Sequence, residues 1–328
     1  MLHGKMSTAS AEFEHQVAPF RKELLAHCYR MTGSLSDAED AMQDSLVRAW
    51  RGLASFEGRA SLRTWLYRVT TNACLDLVAD RRGRSLPELV HPRGAPDDPV
   101  PADLEPVWLE PFPDALLEDD PETRPDAVYE RREATRLAFI AALQRLPARQ
   151  RAILILRDVV ALSAEEAAAA LEISVATANS LLQRARATLE EQPRRRPAPT
   201  DPGLLRELLA GFVGAWERGN PQELIALLTR DAITSMPPAT LWLQGPDDIS
   251  AFMVSKVWPR GRFRLVPCAV NDAPAFAVYL ASGGDAMMLT AVTVLEIDGG
   301  AVSAFHSFMM GSPRFDPARY GLTATLPS

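Results

Sequence analysis

The sequence predicts a multidomain chain: two all-α helical domains followed by an α+β domain. Apolar residues recur at intervals of three and four from about Glu12 to Arg84, and again from Arg131 to about Glu191, as in helices buried on one face. Between them, Leu86 to Glu130 holds ten of the chain's 26 prolines, a composition that builds no core of its own. From Leu204 onward two helical stretches give way to β-type runs. The expected divisions are residues 12–85, a linker 86–130, residues 131–192, a Pro/Arg-rich linker 193–203, and residues 204–328.

The chain has 328 residues, 47% hydrophobic and 23% charged, enough for two or three buried cores. No apolar run approaches the roughly 20 residues of a membrane span. The opening MLHGKMSTAS lacks the apolar centre of a secretory signal, so a cytoplasmic location without a membrane partner is expected. Cys28, Cys74 and Cys268 are far apart and lack metal-ligand spacing, so they read as buried apolar residues, with no metal or cofactor expected. A net charge of −7 argues on its own against nucleic acid. The charge is segregated, however: residues 86–130 carry thirteen acids against Arg93 and Arg124, which leaves about +4 for everything else.

In the first helical zone RKELLAHCYRM is one amphipathic stretch and DAEDAMQDSLVRAW a second. SFEGRAS breaks the pattern, and a third helix starts at Leu62 with Leu66, Val69, Ala73 and Leu77 on one apolar face. Trp65, Arg68 and Asn72 share the flank beside that face. Arg59, Arg63 and Arg68 either point into water or grip phosphates, and Trp65 or Tyr67 either packs in the core or stacks on an unpaired base. Asp37, Glu39, Asp40 and Asp44 precede Arg48 and Arg51; these acids complement the helix dipole, form a docking face, or do both. In the linker, VWLEPFPD places Trp108, Leu109, Pro111 and Phe112 together, an apolar island expected to dock on a folded surface.

The stretch LSAEEAAAALEISVATANSLLQRARATLEE reads as a helix-turn-helix. Ser163 with Glu166 forms a capping box, and Ser174 caps the second helix. Ala178, Leu181, Leu182 and Ala185 are expected to face inward, leaving Asn179, Ser180, Gln183 and Arg184 to read base edges or hold phosphate. A plain helical hairpin with a solvated face is the alternative. Glu172 stands where many such turns carry glycine.

These segments, in this order, resemble the extracytoplasmic-function sigma factors, small relatives of sigma-70. AEDAMQDSLVRAW resembles the segment that binds the clamp of core RNA polymerase, which implies roles for Asp37, Glu39, Asp40, Gln43, Asp44, Arg48 and Trp50. FEGRASLRTWLYRVTTN resembles the segment that melts and reads the −10 element, implying single-strand contacts from Phe56, Arg59, Ser61, Arg63, Trp65, Tyr67, Arg68 and Asn72. The helix-turn-helix resembles the module that reads duplex DNA at −35, implying Thr177, Asn179, Ser180, Gln183, Arg184 and Arg186. The implied partners are core polymerase, through its β′ clamp and β flap, and promoter DNA. The resemblance makes the first domain sigma region 2 and the second sigma region 4. WLEPFPD plus the final domain resembles members carrying a fused SnoaL-like domain of the cone-shaped NTF2-like fold, which implies regulation in cis.

For that last domain LLRELLAGFVGAWERG and PQELIALLT read as helices, and AMMLTAVTVLEI-DGG-AVSAFHSFM as a hairpin. Trp216, Met236, Trp242, Met253 and His306 are candidate walls of a pocket for a small-molecule ligand, although a lone His on a strand is more often a packing residue. Asp231 and Asp298 have structural reasons for their positions, and no nucleophile–base pair stands out, so no enzyme activity is expected. The alternatives are a helix-turn-helix regulator acting without polymerase, and a ligand sensor or enzyme with a DNA-binding appendage.

Overall fold

The computed structural model describes residues 11–58, 60–79, 83–102, 108–117, 134–190, 200–283, 286–310 and 315–327. They form two compact units, one of residues 1–84 and 116–193, the other of residues 85–115 and 194–328.

In the first unit, helices α1 (Arg21–Thr32), α2 (Leu35–Gly52) and α3 (Leu62–Val78) pack on one another. Helix α1 ends because Gly33 takes φ 70°, a left-handed cap whose N–H reaches the Tyr29 carbonyl at 2.7 Å. Ser34 then caps α2, its hydroxyl accepting the Asp37 N–H at 3.1 Å. Helices α4 (Leu137–Gln144), α5 (Ala148–Leu154), α6 (Ala164–Ala170) and α7 (Val175–Glu190) complete the unit. The two helical zones of the sequence therefore share one body. Buried Arg151 helps to hold them together: it donates to the carbonyls of Met31, Gln144 and Leu146 and to the Gln144 side chain, while Gln144 Nε2 donates to the Arg30 carbonyl at 3.0 Å. Arg30 Nε in turn donates to the Ala134 carbonyl at 3.1 Å. Gly83 lets the backbone approach closely here, since a Cβ would stand 2.4 Å from the Gln144 carbonyl oxygen.

Helix α3 departs from the simple stripe. Leu66 and Ala73 are buried as expected, but Leu62, Val69 and Leu77 are only half-buried, while Thr64, Tyr67, Thr70, Thr71 and Cys74 are buried too. Packing reaches α3 from both α1 and α6, so more than one face is covered.

The second unit is a sheet in the order β2-β1-β6-β5-β4-β3, with β7 beside β5. The strands are β1 (Leu228–Ser235), β2 (Trp242–Gln244), β3 (Arg262–Val270), β4 (Ala273–Ala281), β5 (Ala286–Asp298), β6 (Ala301–Met309) and β7 (Thr325–Pro327). Among these described strand pairs β1–β6 is parallel and the others are antiparallel. Gly299 and Gly300, at φ 58° and 84°, make the tight β5–β6 turn that the sequence predicted. Helices α8 (Pro202–Arg218), α9 (Pro221–Leu227) and α10 (Pro246–Phe252) cover one face through Phe212, Trp216, Leu224 and Phe252 against Phe276, Leu295 and Phe305. The short β2, α10 and β7 go beyond the elements the sequence indicates, and β1 begins at Leu228, ahead of the strand expected after Asp231.

The acidic, proline-rich stretch is bound along its described length instead of running as an extended tether. Gly94 N donates to the Trp242 carbonyl at 3.0 Å, Thr240 N to that of Pro101 at 3.0 Å, and Trp242 Nε1 to that of His91 at 2.9 Å. Phe112, fully buried, exchanges backbone and side-chain bonds of 2.9 Å with Asn271, and Tyr320 donates to the Pro111 carbonyl at 3.0 Å. Trp108 and Leu109 are buried as well. Backbone bonding of this kind needs no core inside the segment itself.

In the first unit, burial pushes the His27 imidazole down from 6.5 to about 3, helped by the nearby Arg30 charge. Above pH 6.5 the ring is neutral in folded and unfolded chains alike. As pH falls below that value the unfolded ring takes up a proton that the buried ring refuses until about pH 3, so stability is lost across this window. Urea unfolding should register a loss of about 2 kcal/mol between pH 7 and pH 5 from this group. His27→Gln should flatten that dependence; an unchanged slope would contradict the assignment.

Candidate nucleic-acid interface

Helix α3 is capped by Ser61, whose hydroxyl accepts the Thr64 N–H at 3.0 Å. Trp65 lies half-buried against Phe56, ring centroids 5.1 Å apart, and a Cβ on Gly52 would stand only 3.3 Å from its indole. Tyr67 is a core residue. It is 2% exposed, packs edge-on to His27 at 5.2 Å and donates to Glu23 at 3.2 Å. Burial pushes its phenol well above the usual range. The expectation that Tyr67 stacks on a base is therefore corrected. Arg63 forks onto Glu23 through bonds of 3.1, 3.1 and 2.9 Å, and its guanidinium lies 5.0 Å from the Tyr67 ring centre. Arg68 is exposed and meets Glu172 at 2.9 Å. Asn72 and Phe56 are half-buried, Ser61 is exposed, and Arg59 lies outside the described residues.

The helix-turn-helix forms from α6 and α7. Ser163 and Glu166 make a reciprocal capping box, and Ser174 accepts the Thr177 N–H at 3.1 Å. Bonds from the Ser163 backbone N–H and then from the Thr64 hydroxyl hold the Glu166 carboxyl below its usual range. Glu172 takes φ 55°, a left-handed turn position that costs a non-glycine residue about 1 kcal/mol. Ala178, Leu182, Ala185 and Leu189 are buried, and Leu181 is half-buried at the edge. Thr177, Asn179, Ser180, Gln183, Arg184 and Arg186 all face solvent. Arg186 is already forked onto Asp158 at 3.0 and 2.6 Å, so it brings less uncompensated charge than the sequence suggests.

On α2, Gln43, Asp44, Val47 and Trp50 are exposed, with Asp40 beside them and Glu39 half-buried. Arg48 bridges Asp44 at 2.7 Å and Asp76 at 2.5 Å. Asp37 is different: its side chain is 6% exposed and paired with buried Arg84 at 2.7 Å. It is a core ion pair, which corrects its assignment to a docking surface. Pattern reading missed the groove of about 250 Å³ that Phe13, Glu14, Gln43, Leu46, Val47 and Trp50 line. Its signal was available, because Val47 and Trp50 fall out of phase with the buried Ala38–Ala41–Met42–Ser45–Ala49 stripe.

The five candidate pocket residues do not share a wall. Trp216 and Met253 are packed into the cluster under the helices, with Met236 against it. His306 alternates with Phe305 and so faces the opposite side, where Ser235 meets its Nδ1 at 2.8 Å and Glu88 stands 3.7 Å away. Trp242 reaches His91 of the bound segment.

Residues 17–84 match the family description Sigma-70 region 2, residues 136–189 match Sigma-70, region 4, and residues 209–305 match the SnoaL-like domain. The chain is similar to the ECF RNA polymerase sigma factor SigG of Mycobacterium tuberculosis (strain H37Rv), with 42% identity over 305 residues, 91% of this chain and 81% of that one. It is also similar to SigJ of the same organism, 28% identical over 253 residues, 75% of this chain and 72% of the relative. The crystal structure of Mycobacterium tuberculosis SigJ superposes with a TM-score of 0.59 at 22% identity, covering 94% of this chain and 99% of that one, a likeness of fold.

Breaking a buried ion pair from one side leaves a charge stranded. Asp37→Asn should therefore lower the stability of the helical unit by about 3 kcal/mol in urea unfolding. A surface role would instead leave the unfolding midpoint where it is.

Proposed function

The chain belongs to the extracytoplasmic-function sigma factors of RNA polymerase, and from that membership we propose how its surfaces divide the work. It binds core RNA polymerase and directs promoter-specific initiation. The observation that carries the division is α7, which buries an apolar back and offers Thr177, Asn179, Ser180, Gln183 and Arg184 to solvent in one row. An amide and a guanidinium on such a row suit base edges in the major groove, while hydroxyls suit phosphates; this is the surface for duplex at −35.

Trp50 and Val47, 38% and 42% exposed beside Gln43, supply an apolar anchor framed by charges, the composition of a protein-docking centre. We assign it to the polymerase β′ clamp, with the β flap meeting the helix-turn-helix module. Arg63, Arg68 and half-buried Trp65 on α3 flank the strand opened at −10, arginines toward phosphates and the indole edge toward a base. Such work places the protein in the cytoplasm; no described helix is long and apolar enough to cross a membrane.

The third domain acts as a regulator in cis. Its sheet holds residues 85–115, which lie in sequence between the two helical modules, so any change in the sheet's grip alters the connection between them. Trp216 and Met253 are part of its packed cluster, which favours a docking role over that of a ligand pocket or an enzyme.

Purified core polymerase with this chain should give promoter-specific transcripts that core alone does not. Trp50→Ala should weaken core binding about tenfold or more, as removal of an interface anchor does. Arg184→Ala should spare core binding and weaken upstream duplex binding. Absence of both transcript and core association across salt conditions would end the reading.

A further inference from the structure

The polar side chains of α3 already meet carboxylates. Arg63 pairs with Glu23 of α1 at 2.9 Å. Thr64 donates to Glu166 at 2.9 Å, and Arg68 donates to Glu172 at 2.9 Å. The last two acids belong to the helix-turn-helix, one on α6 and one in its turn. A carboxylate presents a guanidinium or a hydroxyl with the same hydrogen-bonding offer as a phosphate oxygen: negative charge and acceptor lone pairs.

We infer that Glu166 and Glu172 act as intramolecular phosphate surrogates, holding the strand-binding side of α3 closed in the free chain while the duplex-reading row of α7 stays open. The inference rests on the assignment of α3 to the opened strand. Two features of the turn support it. Glu172 sits at φ 55°, a conformation that favours glycine, and its side chain spans to Arg68 on another module. Glu166 serves twice, completing its own capping box at Ser163 and accepting from Thr64. The recognition row meanwhile lies on the adjacent helix and is exposed throughout. The two DNA surfaces are thus differently available, and the order of engagement follows: upstream duplex first, opened strand only once α6 has left α3. Because the Arg68–Glu172 pair is solvent-exposed, at 49% and 65%, the barrier it adds is small enough for polymerase binding to overcome.

The test uses the full chain and a short, labelled, A/T-rich single strand followed by fluorescence anisotropy at low ionic strength. Glu166→Gln keeps a cap acceptor at that position, and Glu172→Gly suits the left-handed backbone, so the double variant is expected to fold, which circular dichroism checks. It should bind the single strand about threefold to tenfold more tightly than the parent, the range expected for removing two weak polar contacts. Adding Arg68→Ala should erase the gain. A charge-matched control, Glu190→Gln with Glu207→Gln, should give none of it. The inference is overturned if the folded double variant binds no better than the parent, if the gain survives Arg68→Ala, or if the control reproduces it. Core-dependent transcription by the parent is scored separately: its presence with no gain removes only this inference, and its absence removes the sigma-factor assignment beneath it.

Discussion

A guanidinium buried among neutral oxygens ties the helical unit together. Arg151 is 4% exposed, and burial pushes its pKa down to about 10, so it bears a real desolvation penalty. Its described hydrogen-bond partners are three backbone carbonyls and one amide side chain, drawn from α1, α4 and the turn that follows α4. Such a group specifies geometry more than it adds stability, because few arrangements satisfy so many of its donors at once. Everything that follows in this unit, including the meeting of α3 with α6, depends on the two modules being held in that register.

Two kinds of acid act in the same unit, and burial separates them. Asp37 is enclosed with Arg84, while Glu172 stands in water beside Arg68. The first contact persists or the domain fails; the second exchanges readily with solvent ions. A protein that must be stable and yet reopen can use the first kind within modules and the second between their working faces.

The sequence made some of this legible and hid the rest for physical reasons. The helix-turn-helix was readable because its signals are local: Ser163 with Glu166, Ser174 with Thr177, and an apolar period that ends at Leu189. The Asp298-Gly299-Gly300 turn was readable for the same reason. The role of Tyr67 was not, because its partners Glu23 and His27 lie 44 and 40 residues away and nothing in its own helix announces them. Asp37 looked like a helix-start acid, its true partner being 47 residues distant. Outside its apolar island, the proline-rich stretch reads as an extended linker because it holds no core of its own, whereas the folded segment bonds to the sheet's residues.

That bonding makes the third domain discontinuous, built from the chain's end and a ribbon near its middle. Shortening the gene from its 3′ side therefore cannot excise the domain cleanly. It would leave buried Phe112 stripped of Asn271, an apolar side chain uncovered in the stretch of sequence between two working modules. Loss of activity in such a deletion would then report a damaged remainder as readily as a missing regulator, and point changes at the Phe112–Asn271 seam would separate the two.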